Sequence, residues 1–489
     1  MRFHQSNQTH EPRLTILMTP YTCDVAVIGA GISGMIAAIR SAQGGRKVLV
    51  FERTAEERYI CNSRLTGGIW HCAQTDILSD PDKLVDVIMT ATGGNARPDL
   101  ARAIASDGIR VVRWMQQIGI RFIRGPYDYQ SFVLSPPTLT PQIRQWEGRG
   151  GDVMLRTFES KLKELGGSLK RGHRALKLLG NDGTVSGFSG ETADGKPFEV
   201  RATHTVIADG GFQANHDLIN GPITAAAERV FQRNARTGHG DGMQMAVAAG
   251  AAVTDLRGFY GHVLSRDAFT NDKLWPYAWL DFVVAAGMAV QSDGRRFEDE
   301  GKGGVHMANA IAGLADPLNT FVIADQRIWD ERGTYNFIAP NPRLPDWGGT
   351  VHKADSLADL ARKAGIAADA LVDEVARYNQ AVAAKSLASL VPARSTHKFD
   401  AYPIAQAPFY AFPACAGITY TMGGISIDDH CRVLGQDGQP LPGLLAVGCA
   451  TGGLEGGDVK GYVGGLVKSS VTGLRAGEEI LGVLGAAQA

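Results

Sequence analysis

The chain has 489 residues, of which 44% are hydrophobic and 20% are charged, and its formal net charge at pH 7 is −1. A chain of this length can form two domains around sizeable cores. The near-neutral charge gives no basis for bulk electrostatic attraction to nucleic acid or to an anionic membrane surface. The six cysteines contain no C-x-x-C pair, so we expect no disulfide framework, cysteine metal site or haem attachment.

The first residues are polar and contain no apolar core of the kind found in signal peptides. We predict that residues 1–17 form a disordered tail. The most apolar stretch, from Trp279 to Val290, is short and contains Asp281, so no membrane span is expected. These features favour a cytoplasmic protein.

The segment 24–52 has the pattern of a βαβ unit. Apolar residues 25–28 predict a short buried strand, which is followed by Gly29, Gly31 and Gly34 in a G-x-G-x-x-G turn. A helix with an apolar face and a second apolar strand come next. Strand, glycine turn, helix and second strand together predict a dinucleotide-binding site.

Each residue of this fingerprint has a physical reason. Gly29 permits the tight turn, Gly31 lets a pyrophosphate approach the backbone, and Gly34 allows close packing of helix and strand. Free N–H groups at the helix N-terminus attract the phosphate charge. Glu52, at the end of the second strand, is the expected hydrogen-bond acceptor for an adenosine ribose.

The chain beyond the fingerprint continues an α/β pattern. No second G-x-G-x-x-G occurs, so a separate nicotinamide domain is not expected. The predicted elements are a loop of small residues over 62–70, helices within 81–122 and over 151–165, hairpin turns at 181–183 and 194–195, and a buried strand over 205–209.

The composition changes at about residue 255, where aromatic residues, prolines and short mixed elements become frequent. We interpret residues 255–415 as an inserted capping domain, between the first part (18–254) and the second part (416–489) of one dinucleotide-binding domain. The second part ends with a strand over 443–448 and a terminal helix. That helix begins at Gly464-Gly465, and its free N–H groups point at whatever lies in front of them.

Further motifs follow the fingerprint in a fixed order. They are Thr66-Gly67-Gly68, Asp209-Gly210-Gly211-Phe212, Gly240-Asp241-Gly242, Gly294-Arg295-Arg296-Phe297 with Glu300, Pro408-Phe409-Tyr410, Thr421-Met422-Gly423-Gly424 and Gly464-Gly465. Together these motifs resemble the flavoprotein family of fumarate reductases, succinate dehydrogenase flavoprotein subunits and 3-ketosteroid Δ1-dehydrogenases, over nearly all of residues 22–482.

The resemblance implies an α/β fold, with a Rossmann-like FAD-binding domain of the glutathione reductase type and an inserted α+β capping domain. It also implies FAD, and hydride exchange between flavin N5 and a substrate carbon. No His precedes Gly67 in the manner of covalent flavin sites, so we expect non-covalent FAD. The residues expected to contact it are Gly29, Ala30, Gly31, Ser33, Gly34, Glu52, Arg53, Ser63, Thr66, Gly67, Gly68, Ala175, Asp209, Gly210, Asp241, Cys449, Gly464, Gly465 and Leu466.

Several positions depart from the fumarate reductases. Tyr420 stands in the place of their His-His pair, together with Thr419. Tyr462 replaces their substrate-clamping arginine, Gly304 replaces their proton-donating arginine, and Cys449 replaces a glutamate at the flavin ribityl chain. A carboxylate buried against a flavin needs cationic partners, so these neutral replacements make a dicarboxylate a poor candidate substrate.

Tyr462 is more similar to the 3-ketosteroid dehydrogenases. In that family a tyrosine and a backbone N–H four residues later, here Leu466, bind the substrate ketone. Two fixed donors stabilise the enolate charge that builds up when a proton leaves the carbon next to a carbonyl. Tyr129 resembles the tyrosine-bearing loop of that family. The basic tyrosine of the 3-ketosteroid dehydrogenases corresponds to Gly304 in this chain, so this proton carrier is missing as well.

Replacement candidates for the proton carrier are His306, Lys302, Tyr260 and His262. The candidate catalytic set is therefore Tyr462, Leu466, Tyr420, Tyr129, His262 and His306.

The leading hypothesis is an FAD-dependent dehydrogenase or enone reductase. It would act on the CH–CH or C=C bond beside the carbonyl of a neutral cyclic ketone, steroid-like or smaller, with an external electron donor or acceptor. One alternative is a reductase of α,β-unsaturated carboxylates, and another is a flavin-binding electron-transfer protein without its own catalysis. Arginines available for the carboxylate alternative are Arg144, Arg149, Arg257 and Arg266.

Overall fold

The computed structural model describes residues 20–138, 146–335 and 338–484, so the predicted tail over 1–17 lies outside the described residues. The strands are β1 (Tyr21–Ile28), β2 (Val48–Glu52), β3 (His71–Cys72), β4 (Thr75–Asp76), β5 (Phe122–Ile123), β6 (Val133–Leu134), β7 (Ser168–Arg171), β8 (His173–Asn181), β9 (Thr184–Thr192), β10 (Pro197–Ile207), β11 (Phe231–Gln232), β12 (Phe259–Ser265), β13 (Met288–Gln291), β14 (Thr320–Asp325), β15 (His352–Ala354), β16 (Phe409–Thr421), β17 (Arg432–Leu434) and β18 (Pro440–Ala446).

The helices lie between these strands in the expected α/β manner. They are α1 (Ile32–Gln43), α2 (Pro81–Ala91), α3 (Pro98–Gln117), α4 (Gly150–Glu164), α5 (His216–Ile219), α6 (Asp241–Ala248), α7 (Asp281–Ala286), α8 (Gly304–Ala312), α9 (Gln326–Glu331), α10 (Pro340–Asp346), α11 (Leu357–Ala364), α12 (Ala368–Ala383) and α13 (Gly465–Leu481).

The larger sheet has the central strand order β17-β18-β10-β1-β2-β7. Strand β1 runs parallel to β2 and β10, with Val27 opposite Val50 on one side and Val206 on the other. Residues 25–28 are buried, which explains why they read as a continuous apolar run rather than an alternating one. The β8–β9 hairpin joins the same sheet through β10.

Helices α1 and α13 both start at one edge of this sheet. Helix α1 begins directly after the glycine turn that follows β1, and α13 begins at Gly465, after β18 and a glycine-rich loop. The two N-termini therefore present unpaired backbone N–H groups to the same region.

The second sheet is built around β16, thirteen residues long. Strands β12, β14 and β15 pair with β16 in antiparallel orientation and β11 in parallel orientation, while β13 pairs with β14. The register of β12 and β16 places Tyr260 opposite Tyr420. This pairing brings together two residues that are 160 positions apart in the chain.

The second sheet includes β11, which precedes residue 255, and β16, which continues past residue 415. The domain boundaries at these residues stay predictions. Within the described ranges, no helix is long and apolar enough to cross a membrane. The six cysteines are free thiols.

Candidate active site

A cavity of about 920 Å³ lies at the carboxyl ends of β1 and β2 and extends to the second sheet. Ligands of parallel α/β sheets bind at this edge. The volume is near the upper end of the roughly 300–1,000 Å³ that is usual for cofactor and ligand pockets. The cavity can therefore hold a large cofactor.

Most residues predicted to contact FAD line this cavity. The two that do not are Gly34 and Gly464. The predicted residues in the lining are Gly29, Ala30, Gly31, Ser33, Glu52, Arg53, Ser63, Thr66, Gly67, Gly68, Ala175, Asp209, Gly210, Asp241, Cys449, Gly465 and Leu466. We call the part formed by Gly29, Gly31, Gly67, Gly210 and Gly465 the glycine wall.

The fingerprint glycines differ in what surrounds them. A Cβ on Gly34 would overlap the carbonyl oxygen of Gly29, so only glycine permits this contact of helix and turn. A Cβ on Gly31 would meet only the Ser63 hydroxyl, at 3.3 Å, and would otherwise point into open space. Gly34 thus serves packing, and Gly31 leaves room for a ligand to reach the backbone.

Glu52 is buried at the end of β2. Its carboxylate accepts hydrogen bonds from the backbone N–H groups of Ala30 (3.2 Å) and Thr54 (3.0 Å), which fix its orientation. A carboxylate has about four acceptor sites, so Glu52 keeps capacity for the hydroxyls of a ribose.

Two aspartates lie near one another on the glycine wall's side of the cavity. Asp209 accepts a bond from the Gly242 N–H (2.7 Å), and its Oδ1 is buried without a partner among the described residues. Burial raises the pKa of Asp209 to about 7. Asp241 instead accepts hydrogen bonds from two of the three guanidinium nitrogens of Arg174, Nε at 2.9 Å and Nη2 at 3.0 Å. These bonds lower the pKa of Asp241 despite the opposing effect of burial, so it stays charged.

These residues fit FAD. The open backbone at Gly31 and the N-terminus of α1 suit a pyrophosphate, and Glu52 suits a ribose. The unpartnered oxygen of Asp209 suits a polar group of the cofactor, since a buried polar atom without a bond is costly.

Another part of the cavity is lined by His71, Tyr260, Trp279, Tyr420 and Tyr462, which we call the aromatic wall. The rings of Tyr260 and Tyr462 stack with centroids 4.0 Å apart, and the Tyr420 ring lies 5.3 Å from Tyr260. Burial raises the pKa of Tyr260 to about 12 and the pKa values of Tyr420 and Tyr462 well above the usual value. At neutral pH these phenols are hydrogen-bond donors.

A buried carboxylate supports this wall. Glu455 accepts hydrogen bonds from the Tyr420 hydroxyl (2.9 Å) and the Val463 N–H (3.0 Å), and it forms an ion pair with buried Lys468 (3.5 Å). Glu455 thereby fixes Tyr420 and the backbone directly after Tyr462. Sequence reasoning missed it, because an acid in a glycine-rich loop carries no local sign of burial.

The other predicted catalytic residues occupy different places. Leu466 lines the cavity in the first turn of α13, where its N–H has no helical acceptor. Tyr129 is outside the lining and contacts His71 edge-on, at 5.6 Å between ring centroids. His262 is buried next to Tyr260 but is not in the lining, and His306 is buried on α8 with Glu298 as its neighbour at 3.4 Å. Burial lowers the pKa of His71 to about 4.

Arg233 is a cation in the cavity lining that sequence reasoning also missed. It donates to the Pro276 carbonyl (2.8 Å) and the Thr419 hydroxyl (2.7 Å), and its guanidinium lies over the Trp279 ring. Within the described ranges no carboxylate forms an ion pair with it. The sequence around it gives one sign, which is that no acidic residue lies within four positions of Arg233.

The arginines that were considered for a carboxylate substrate lie elsewhere. Arg149, Arg257 and Arg266 are not in the cavity lining, and Arg144 is outside the described residues. The neutral replacements at the family's clamp positions therefore do not leave the cavity without a cation, because Arg53, Arg174, Arg233 and Arg236 line it.

Residues 24–461 match the model of a protein family that is described as "FAD binding domain". The chain belongs to this family. The match to this family confirms two predictions, namely the FAD-binding fold and the assignment to the flavin-dependent oxidoreductases.

The chain is similar to NADH:acrylate oxidoreductase of Vibrio harveyi, with 27% identity, covering 74% of this chain and 34% of that protein. It spans about a third of the length of this relative. It is also similar to 4-oxocyclohexanecarboxylate 2-dehydrogenase of Sinomonas cyclohexanicum, with 25% identity and coverages of 91% and 89%. The fold matches 3-ketosteroid Δ4-(5α)-dehydrogenase of Rhodococcus jostii RHA1, with a TM-score of 0.70, 22% identity and coverages of 96% and 98%.

Proposed function

We propose that this protein is an FAD-dependent oxidoreductase that exchanges hydride with the carbon–carbon bond beside a carbonyl group, most favourably in a cyclic ketone. The observation that carries the proposal is the placement of Tyr462 and Leu466 in the lining of one cavity with the residues that fit FAD. A neutral phenol and a free helix N–H are the donors that a developing enolate oxygen needs.

Non-covalent FAD, when bound, would accept or return the hydride at N5. The chain's own residues would bind and polarise the substrate. Tyr462 donates from a ring that is held by stacking on Tyr260, and Glu455 fixes the backbone that follows it. The aromatic wall excludes water from the reacting carbons, which strengthens each hydrogen bond. An external donor or acceptor would complete the electron balance.

Arg233 favours a second candidate, a substrate that carries a carboxylate. Arg233 is 9% exposed as a residue, lines the cavity and has no ion-pair partner among the described residues, so its guanidinium is suited to an anionic ligand. The carboxylate would belong either to an α,β-unsaturated acid or to a ring ketone with an acid substituent. The relative named for 4-oxocyclohexanecarboxylate acts on a compound of the latter kind.

Three probes separate these candidates: cyclohexanone, 4-oxocyclohexanecarboxylate and acrylate. Oxidation of the two saturated ketones would be followed with an artificial acceptor, and reduction of acrylate with reduced methyl viologen. Turnover of either ketone supports the first proposal. Turnover of acrylate alone would contradict it and support the carboxylate reductase, and turnover of none would contradict both.

The variant Arg233→Gln decides the role of the cation. Loss of a charge-assisted bond of about 1.5–3 kcal/mol raises KM for a charged probe by about tenfold to a hundredfold. The KM for cyclohexanone should change far less. Arg327→Gln is a matched control, since Arg327 is an exposed residue paired with Glu331 on α9. Equal effects of Arg233→Gln on both ketones would contradict carboxylate binding at Arg233.

A further inference from the structure

Gly304 occupies the position at which the related families carry their proton carrier, and the structure shows what fills that space. A Cβ at Gly304 would overlap the carboxyl group of Asp281, the first residue of α7. The space next to residue 304 therefore holds an acidic side chain that comes from another helix. Glycine is required at this position because any side chain would displace Asp281.

Asp281 is the end of a chain of hydrogen bonds. Its Oδ2 lies 2.6 Å from His262 Nδ1, and His262 Nε2 lies 3.0 Å from the hydroxyl of Tyr260. Its other oxygen, Oδ1, accepts a bond from the Val263 N–H at 2.8 Å. Because a carboxylate only accepts, His262 carries its proton on Nδ1, and Nε2 accepts the proton of the Tyr260 hydroxyl.

The chain of hydrogen bonds has one end in the cavity lining and the other at half-buried Asp281, outside the lining. Tyr260 is in the cavity lining, whereas His262 and Asp281 are not. His262 is fixed by stacking on the Trp279 ring, with centroids 3.9 Å apart and planes within 6°. This arrangement can hold a proton at a defined nitrogen away from the cavity.

Several charged and titratable groups influence this chain. Burial lowers the pKa of His262, and Arg233 lowers it further, while Asp281 raises it. His262 is thus neutral at pH 7, as an acceptor must be, and its protonated form is stabilised chiefly by Asp281. The other groups near Tyr260 and Asp281 are Tyr420 on β16, Tyr462 before α13, Tyr277, Glu455 and exposed Lys398, while His306 on α8 lies next to Glu298.

The geometry points to a proton relay in which Tyr260 exchanges the substrate proton, His262 stores it, and Asp281 positions His262. This inference rests on the proposed function. In desaturation the α C–H bond breaks and its proton bonds to the Tyr260 oxygen, while the original hydroxyl proton bonds to His262 Nε2. The electron pair left on the α carbon forms the C=C bond as hydride leaves the β carbon for FAD, the oxidant. Reduction of an enone follows the same steps in the opposite direction, so that each bond that forms in desaturation breaks and each bond that breaks forms.

Tyr260 is the catalytic residue of this relay, and His262 and Asp281 act through it. Tyr260→Phe removes the group that carries the proton, and kcat should fall by about 10²–10⁴, the usual contribution of a positioned acid or base. The flavin spectrum and KM should change little, because Phe keeps the ring that stacks on Tyr462.

Asp281→Asn is the sharper test, because it keeps the shape of the side chain at position 281 and reverses the tautomer of His262. The Val263 N–H holds an oxygen at Oδ1, so the amide NH₂ of Asn must face His262 Nδ1. His262 then carries its proton on Nε2 and cannot accept from Tyr260. We expect a fall in kcat of at least about tenfold, smaller than the 10⁴ that the same change causes in a serine-protease triad.

Gly304→Ala perturbs the relay without changing the chemical identity of any of its polar groups. Its Cβ displaces the Asp281 carboxylate, so it should reproduce the loss of kcat that we expect for Asp281→Asn. Glu479→Gln is the matched control. It removes the carboxylate of another pair, at 2.7 Å from His430 Nδ1, outside the cavity lining. This control should keep kcat within about twofold, as expected for a partly exposed pair.

A second readout does not depend on turnover. The FAD-loaded protein should show a proton resonance downfield of the indole N–H signals, from the short Nδ1–H bond to Asp281. It should persist in Glu479→Gln and disappear in Asp281→Asn. Absence of this resonance in the wild type, or kcat within threefold of wild type in both Asp281→Asn and Gly304→Ala, would overturn the relay. Failure of all three probes would instead overturn the proposed function.

Discussion

The glycine wall and the aromatic wall face the same cavity but are built in different ways. The glycine wall offers backbone, with open space at Gly31 and helix N-termini at both ends of the chain. The aromatic wall offers side chains, and two of them are held by buried polar partners, Tyr420 by Glu455 and Tyr260 by His262. A wall made of backbone tolerates the loss of one side chain, whereas a wall made of supported side chains does not.

The largest effect is expected where the support of the aromatic wall is removed. In Lys468→Met the buried Glu455 loses its cationic partner, which donates to it at 3.5 Å and to the Thr451 carbonyl at 2.8 Å. Breaking a buried ion pair in this way lowers the free energy of unfolding by about 3–5 kcal/mol. Urea denaturation measures the change. Lys161→Met, in a surface pair with Glu164, is the control and should change it by about 1 kcal/mol or less. Equal losses in both variants would contradict the comparison of the walls.

The second-largest effect is expected at Tyr462, the hydrogen-bond donor to the substrate oxygen. Tyr462→Phe keeps the ring and its stacking on Tyr260 but removes the hydroxyl that would meet an enolate oxygen. Loss of one such donor lowers kcat by about 10²–10³. The rate is measured on the best ketone probe, together with the flavin spectrum. A change in kcat of less than about tenfold with an unaltered spectrum would remove Tyr462 from the mechanism.

The two walls also differ in how many of their residues could be predicted from the sequence. The reason is again that one wall is built from backbone and the other from side chains. The glycine wall is encoded by contiguous motifs: Gly29 and Gly31 belong to one βαβ unit and could be named from local pattern, whereas Gly67, Gly210 and Gly465 were named from the resemblance to the flavoprotein family. The resemblance also indicated Tyr462 and the missing proton carrier at Gly304. The partners of the aromatic wall could not be named, because Arg233, Asp281 and Glu455 meet their neighbours only through tertiary packing.

Asp281 shows the physical reason most clearly. In the sequence it is an isolated acid in an apolar stretch, 23 positions before Gly304. Only the packing of α7 against α8 places its carboxylate in the space next to Gly304. Likewise, the contact of Tyr260 with Tyr420 depends on the register of β12 against β16, which no local pattern specifies.

A smaller effect is expected from a side chain next to the glycine wall. Glu52→Ala removes one charge-assisted acceptor for the ribose, worth about 1.5–3 kcal/mol, but leaves the backbone of the fingerprint in place. The Kd for FAD should therefore rise by about tenfold to a hundredfold without loss of the fold. Flavin fluorescence quenching measures it, and exposed Glu56→Ala serves as the control. A protein that binds no FAD at all after this single change would show that the glycine wall depends on side chains.

The smallest effect is expected at Cys449, which also lines the cavity. Burial raises the pKa of its thiol to about 11, so at pH 7 only about one part in ten thousand is thiolate. Ser is similarly small and neutral, and Cys449→Ser should leave the Kd for FAD within about threefold, under about 0.7 kcal/mol. The same pKa predicts that alkylation of Cys449 by iodoacetamide accelerates about tenfold per pH unit from pH 7 to 10, because only the thiolate reacts. Peptide mass spectrometry separates Cys449 from the other cysteines. A plateau near pH 8.5, or a Kd raised more than about tenfold by Cys449→Ser, would place a functional side-chain charge next to the glycine wall and break the contrast between the two walls.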